Sequence, residues 1–159
     1  MIPRFAGSVV RYEGKKFLRF TGDLDLSRIA AEGSTRGDRV SLYIHIPFCR
    51  TLCPFCCFNR YLFKEEQARS YFADLRKEVD MYAGLGFKFN DFYFGGGTPT
   101  VLMDELAGFI GYLGSKFKVK RISLETTPRE LPPETVPQLP QLGINRLSIG
   151  VQSFHDGHL

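Results

Sequence analysis

Three cysteines in one short run, Cys49-Arg-Thr-Leu-Cys53-Pro-Phe-Cys56, have the types and spacing to do chemistry. The pattern is C-x3-C-x2-C, and it follows directly on a strand-like run over residues 40–46. Closely spaced thiolates of this kind suit a cubane iron–sulfur cluster, which is held by cysteine sulfur. Three protein ligands would leave one iron open to something other than protein. An open metal position lets a site do chemistry rather than only hold itself together.

Two other readings of the same cysteines remain open at this point. A disulfide framework spreads its cysteines along the chain to close loops, whereas here all four fall between 49 and 57. That packing reads instead as a metal site in a reducing compartment. A structural zinc site wants four tetrahedral ligands, usually as paired cysteines or with added histidines. Cys57 is poorly placed to join its neighbour Cys56 on one ion, but His45, His155 and His158 are available. Cys57 reads as a small buried thiol, and His45 as a satisfied structural histidine.

The elements that must position these residues follow from residue 40 onward as strand, then helix, repeated. After the first strand, apolar Ala68, Tyr71, Phe72, Leu75, Val79 and Tyr82 recur at three and four, which predicts a helix over 64–83. A short strand over 91–94 runs into Gly95-Gly96-Gly97-Thr98-Pro99. Leu106, Phe109, Ile110, Leu113 and Phe117 predict a second helix over 103–117. Further strands are expected over 120–125 and 146–149. The segment between them suits a helix start at Pro132 and Pro133, but Pro137 and Pro140 predict a short or broken helix.

This alternation argues for an α/β fold, a parallel sheet of about four strands with helices packed outside. Residues 1–39 read as an N-terminal extension, with a hairpin over 8–20 and a loop over 33–37. A closed barrel of eight such units takes about 250 residues. Residues 40–159 therefore suit either an open sheet or the N-terminal part of an incomplete barrel.

The polar features fall at one kind of place, the C-terminal end of a strand. The cysteine loop follows the first strand and the glycine run the second; Glu125 ends the third, and Gln152 follows the fourth. Active sites of parallel α/β barrels lie on that rim. Taken alone, the glycine run is a tight turn, and Glu125 is a solvated strand end. The aromatic residues Phe72, Phe109 and Phe117 fall on helical faces and belong to a core.

Tyr43-Ile-His-Ile-Pro-Phe-Cys49 with the three-cysteine motif resembles the radical S-adenosylmethionine superfamily. Gly95-Gly-Gly-Thr-Pro-Thr100 and Asn145-Arg-Leu-Ser-Ile-Gly-Val-Gln-Ser-Phe154 are similar to the oxygen-independent coproporphyrinogen III oxidase family, which includes related haem chaperones. The resemblance runs over 41–159. It implies a partial radical S-adenosylmethionine (β/α) barrel in which Cys49, Cys53 and Cys56 hold a [4Fe–4S] cluster. The fourth iron would be chelated by the amino and carboxylate groups of S-adenosylmethionine. Gly96 and Gly97 would present backbone groups to the methionine amino end, with Thr98 beside them. Glu125 would accept hydrogen bonds from the cofactor, and Phe55 would lie near the adenine. Tyr43 and Gln152 match positions used near S-adenosylmethionine.

The implied activity is reductive cleavage of the cofactor to a 5′-deoxyadenosyl radical, acting on a tetrapyrrole. A reduced flavodoxin or ferredoxin is the implied electron donor. A haem-delivery chaperone, a methyltransferase-like protein and an inactive fragment are the alternatives. Phe58 stands where some members carry a further cysteine, and Cys57 where the haem-chaperone branch often has Asp. Residues 1–159 alone are expected to cleave the cofactor slowly or without coupling.

Lys and Arg number 21 against 17 Asp and Glu, a formal charge of +4. That is mild, and no Lys/Arg block points to nucleic acid. No apolar run approaches a membrane span, and the N-terminus lacks the apolar core of a signal peptide. A cytoplasmic location is the expectation.

Overall fold

The computed structural model describes Asp25, Arg28, Ala31, residues 40–155 and Gly157. The expected hairpin over 8–20, the loop over 33–37 and His158 lie outside the described residues. Among the described residues, β1 (Ser41–Ile46), β4 (Asp91–Gly96), β5 (Arg121–Thr126) and β6 (Arg146–Ile149) form one sheet in that order. Every neighbouring pair is parallel. Two very short strands, β2 (Phe48–Cys49) and β3 (Tyr61–Leu62), pair with each other beside it.

Helix α1 (Glu65–Gly84) buries Ala68, Phe72, Leu75 and Val79, the stripe that the three-and-four spacing predicts. Glu65 and Glu66 occupy its first turn, where negative charge opposes the helix dipole favourably. Its C-terminus closes when Gly86, at φ +85°, donates to the Ala83 carbonyl and Phe87 donates to the Tyr82 carbonyl. The Phe87 and Tyr82 rings meet edge to face at 5.4 Å, which completes a Schellman ending with its apolar contact.

Helix α2 (Met103–Lys116) follows a 3-10 turn, Pro99–Leu102, that opens on proline. Proline is preorganised for that first position. The helix buries Leu106, Phe109, Ile110 and Leu113. Together the two stripes cover Ile44, Ile46, Phe92, Phe94, Ile122 and Leu124, the apolar face of the sheet. Phe109 sits edge-on to Phe72 of α1 at 5.9 Å and to Phe94 of β4 at 6.2 Å. Sheet and both helices therefore share one core.

The expected broken helix is a single turn, α3 (Gln138–Gln141). Pro137 caps it, and Pro140 falls within the first turn. Its missing N–H would have had no intrahelical partner there. Gly143 and Ile144 then donate to the carbonyls of Pro140 and Leu139, ending the helix in the same way as α1.

Successive strand residues point to opposite faces. With Leu42, Ile44 and Ile46 turned to the helices, Tyr43 and His45 of β1 fall on the other face. The register places Tyr43 opposite Tyr93, Tyr93 opposite Ser123, and Ser123 opposite Arg146. Glu125 pairs with Ser148 on that same face. Over β1, β4 and β5 one face is thus apolar and covered by helices while the other carries the polar residues; β6 is exposed along its length.

Candidate functional site

At the C-terminal ends of the strands a cleft of about 630 Å3 opens between three walls. The cysteine loop forms one wall, the glycine run and Thr98 the second, and the segments following β5 and β6 the third. Cys49, Cys53, Phe55, Cys56, Gly96, Gly97, Thr98, Glu125 and Gln152 all line it. Tyr43 does not. Its ring stacks on Tyr93 at 5.9 Å, and its hydroxyl is hydrogen-bonded to His45.

The cysteine loop is built by the paired strands β2 and β3, which the sequence pattern does not reveal. Tyr61 donates its N–H to the Pro47 carbonyl at 2.7 Å, and Phe63 donates to the Cys49 carbonyl at 2.8 Å. These bonds bring both ends of the loop together. Inside it, the Cys56 N–H reaches the Cys53 carbonyl at 3.2 Å. The Arg60 guanidinium donates to the carbonyls of Cys53, Cys56 and Phe58. Arg50 anchors the outer side. It donates to Glu130 at 3.0 Å and to the Val101 carbonyl at 3.1 Å, and its guanidinium lies over the Phe63 ring at 4.9 Å.

The glycine wall is locked to β1 and β2. Gly97 donates its N–H to the Ile46 carbonyl, and Thr98 donates to the Phe48 carbonyl, each at 2.8 Å. A Cβ on Gly97 would stand 2.7 Å from the Phe48 carbonyl oxygen and 2.8 Å from the Pro47 carbonyl carbon. The close approach of the two backbones therefore requires glycine. Gly96, at φ +113°, ends β4 in the left-handed region. Since the N–H groups of Gly97 and Thr98 are taken, the glycine backbone can offer the cleft carbonyl oxygens, which accept hydrogen bonds.

The buried Thr98 hydroxyl donates to Cys49 Sγ at 3.6 Å. Burial pushes the Cys49 thiol up; the Thr98 bond and the Arg60 charge pull it back, while Cys56 and Cys53 push it further. Cys57 is exposed rather than buried, which corrects the expectation for that residue. It still lines the cleft.

Glu125 accepts a hydrogen bond from the Tyr93 hydroxyl at 2.5 Å. That bond, with burial and the carboxylate charge, holds the Tyr93 hydroxyl above its ordinary pKa. Burial and then Glu125 do the same to Tyr43. His45 is satisfied on both ring nitrogens. Nε2 lies 2.9 Å from the Asn59 carbonyl, so it must carry the proton, and Nδ1 accepts from the Tyr43 hydroxyl at 3.0 Å. The histidine thus ties β1 to the end of the cysteine loop and is structural, as expected.

Gln152 adopts φ +65°, the left-handed region that a side chain disfavours. Ser153 donates to the Val151 carbonyl at 2.8 Å across it, a tight three-residue turn of the strained kind. The four cysteines fall beside one cleft, but among the described residues no three His, Cys, Asp or Glu converge to hold a single metal ion. A cubane does not ask for such convergence, since each cysteine holds a different iron. The donor set therefore fits a cluster: three thiols on one wall, a hydroxyl donor to one sulfur, and a guanidinium fixed on the loop's carbonyls. Tyr93, Arg50 and Arg60 are missing from the sequence reading. A lone aromatic or arginine carries no spacing signal, and only the fold brings these to the site.

Residues 43–159 match the Radical SAM superfamily. The oxygen-independent coproporphyrinogen III oxidase of Bradyrhizobium diazoefficiens is 36% identical over 126 residues, covering 74% of this chain and 28% of that protein. The heme chaperone HemW of Bacillus subtilis is 35% identical over 123 residues, covering 73% of this chain and 32% of that protein. A solved structure described as coproporphyrinogen III oxidase (HemN) from Escherichia coli, a radical SAM enzyme, aligns with a TM-score of 0.67 at 34% identity. It covers 75% of this chain and 29% of the solved one. The chain thus spans less than a third of the length of these relatives.

Proposed function

The chain belongs to the radical S-adenosylmethionine superfamily, and on that premise we propose that Cys49, Cys53 and Cys56 hold a [4Fe–4S] cluster beside a cleft for S-adenosylmethionine. The observation that carries this reading is the shared cleft. Residues from four separate segments, Cys49 to Cys56, Gly96 to Thr98, Glu125 and Gln152, line one space of about 630 Å3. That volume lies within the range of small-molecule sites.

Each wall has a task. The thiolates of Cys49, Cys53 and Cys56 would hold the cluster, leaving an iron free for the amino and carboxylate groups of S-adenosylmethionine. The Gly96 and Gly97 carbonyls accept hydrogen bonds from the cofactor's amino group, since the neighbouring N–H groups are already bonded. Glu125, steadied by Tyr93, accepts from the cofactor. Phe55, 60% exposed on the loop, offers a flat apolar surface to the adenine. Gln152 supplies an amide at the third wall, and Tyr43 packs on Tyr93, the partner of Glu125. When bound and reduced, the cluster supplies an electron that cleaves the sulfonium carbon–sulfur bond, giving methionine and a radical that takes hydrogen from a substrate. The protein's part is to orient the cofactor and keep water away.

The relatives' names favour a tetrapyrrole substrate, with a reduced flavodoxin or ferredoxin as electron donor. Cysteines kept as thiols suit a reducing compartment, and the cytoplasm is the proposed location. No helix among the described residues is long and apolar enough to cross a membrane. The similarity to a heme chaperone favours a second reading, in which the cluster site is kept but haem is bound and handed on. Anaerobic incubation with S-adenosylmethionine, a strong reductant and coproporphyrinogen III separates them. The enzyme reading expects reductant-dependent 5′-deoxyadenosine with some decarboxylated product, slow and loosely coupled in residues 1–159. The chaperone reading expects tight haem binding and no product. Neither outcome would refute the functional assignment to a tetrapyrrole; failure of both would.

A further inference from the structure

Arg60 is the best-connected side chain of the cysteine loop. It does not belong to the C-x3-C-x2-C pattern. Its Nη1 donates to the Cys56 carbonyl at 3.0 Å and to the Phe58 carbonyl at 3.4 Å, and its Nη2 donates to the Cys53 carbonyl. One planar fork thus bridges three carbonyls across the stretch that carries two of the three cysteines. Its Nε is buried without a hydrogen-bond partner. Leaving a buried donor unpaired is costly, so the loop holds this guanidinium in place despite an unfavourable contact. Arg60 forms no ion pair among the described residues, so its charge faces the loop uncancelled.

We infer that Arg60 is a positioning residue that sets the cysteine loop in its ligand-ready shape and keeps a fixed positive charge at the wall that carries the cysteines. The inference rests on the cluster reading above, but its first half concerns the apo chain alone. Hydrogen bonds from a charged fork to carbonyls are stronger than neutral ones, and a lysine cannot reproduce the fork. A fixed cation beside a cluster favours its reduced, more negative state, because net charge is one of the terms that set cluster potential.

Two variants of residues 1–159 test this. Arg60→Lys keeps the charge and loses the fork; Arg60→Gln loses both. In the apo chain, amide hydrogen exchange at Cys56, Tyr61 and Phe63 is expected to quicken about tenfold in both variants. Amides of β4 and β5 report that the fold persists. After anaerobic reconstitution, Arg60→Gln is expected to lower the cluster's midpoint potential and Arg60→Lys to leave it near that of the parent. Unchanged loop exchange in both variants, or an unchanged potential in Arg60→Gln, overturns the inference. If Arg60→Gln unfolds, Arg60→Lys alone decides the exchange result. If the parent takes up no iron, the cluster reading fails, while the apo exchange still decides the role of Arg60 in the loop.

Discussion

Thr98 donates its hydroxyl to Cys49 Sγ at 3.6 Å, joining the glycine wall to the first cysteine across 49 residues of sequence. The bond gives one sulfur a fixed donor that the other cysteines are not seen to share. Thr98→Val keeps the shape and removes the donor. The expected cost in folding stability is about 1 kcal/mol, with faster loss of iron to a chelator from reconstituted protein. Equal chelation rates in variant and parent would assign Thr98 a packing role only.

Gly97 and Gly111 predict opposite effects of the same substitution. A Cβ at Gly97 meets backbone at 2.7 Å, whereas nothing lies within 4 Å of one at Gly111 on α2. Gly97→Ala is expected to destabilise by about 1–3 kcal/mol. Gly111→Ala is expected to stabilise by up to about 1 kcal/mol, the helix propensity difference. Urea denaturation of the two variants checks both signs.

Gln152 occupies a strained left-handed position at φ +65°. Gln152→Gly relieves that strain, so thermal denaturation should find the variant no less stable than the parent. Binding of S-adenosylmethionine should weaken if the amide contacts the cofactor. A variant that binds as tightly as the parent removes Gln152 from the site.

Asp80 accepts from the Tyr112 hydroxyl at 2.6 Å and pairs with Lys116 at 2.7 Å, tying α1 to α2. Lys116 and then Tyr112 hold its carboxyl below the ordinary value of 3.8. Asp80 holds the Tyr112 hydroxyl and the Lys116 ammonium above their ordinary values of 10.0 and 10.5. A depressed carboxyl stabilises above its unfolded pKa, and that contribution is lost as pH falls through the folded value. Raised groups stabilise below their unfolded pKa and lose that contribution as pH rises through the folded value. The stability gap between the parent and Asp80→Asn should therefore be flat from about pH 5 to pH 9 and shrink on either side. A gap that is independent of pH across pH 2–12 would assign the pair no role. These groups are solvent-exposed, so a modest, salt-sensitive gap is expected.

The alternation of strand and helix was legible because its apolar residues keep a helical period: Ala68, Phe72, Leu75 and Val79 all reach the core. Strand ends were legible within one residue, except that β4 runs two residues further, through Gly96. Glycine lacks strand propensity, but Gly95 and Gly96 pair with His45 and Ile46 of β1, and a Cβ on Gly96 would stand 2.7 Å from the His45 ring. The site was legible where residues bunch in sequence, as at Cys49 to Cys56 and Gly95 to Thr98. It was not legible where the fold alone brings partners together. Tyr93 reaches Glu125 from 32 positions away, and Arg50 reaches Glu130 from 80. The β2–β3 pair is two residues long on each side, too short to leave a periodic trace.

An iron cube held by three cysteines, with one corner open to a sulfonium nucleotide, would contain one iron unlike the rest. Anaerobic reconstitution with iron and sulfide, followed by Mössbauer and EPR spectroscopy before and after adding S-adenosylmethionine, reads that iron. The expected result is a [4Fe–4S] signal in which one iron site changes on addition. Zinc in place of iron, or a cluster whose spectrum ignores the nucleotide, would contradict it.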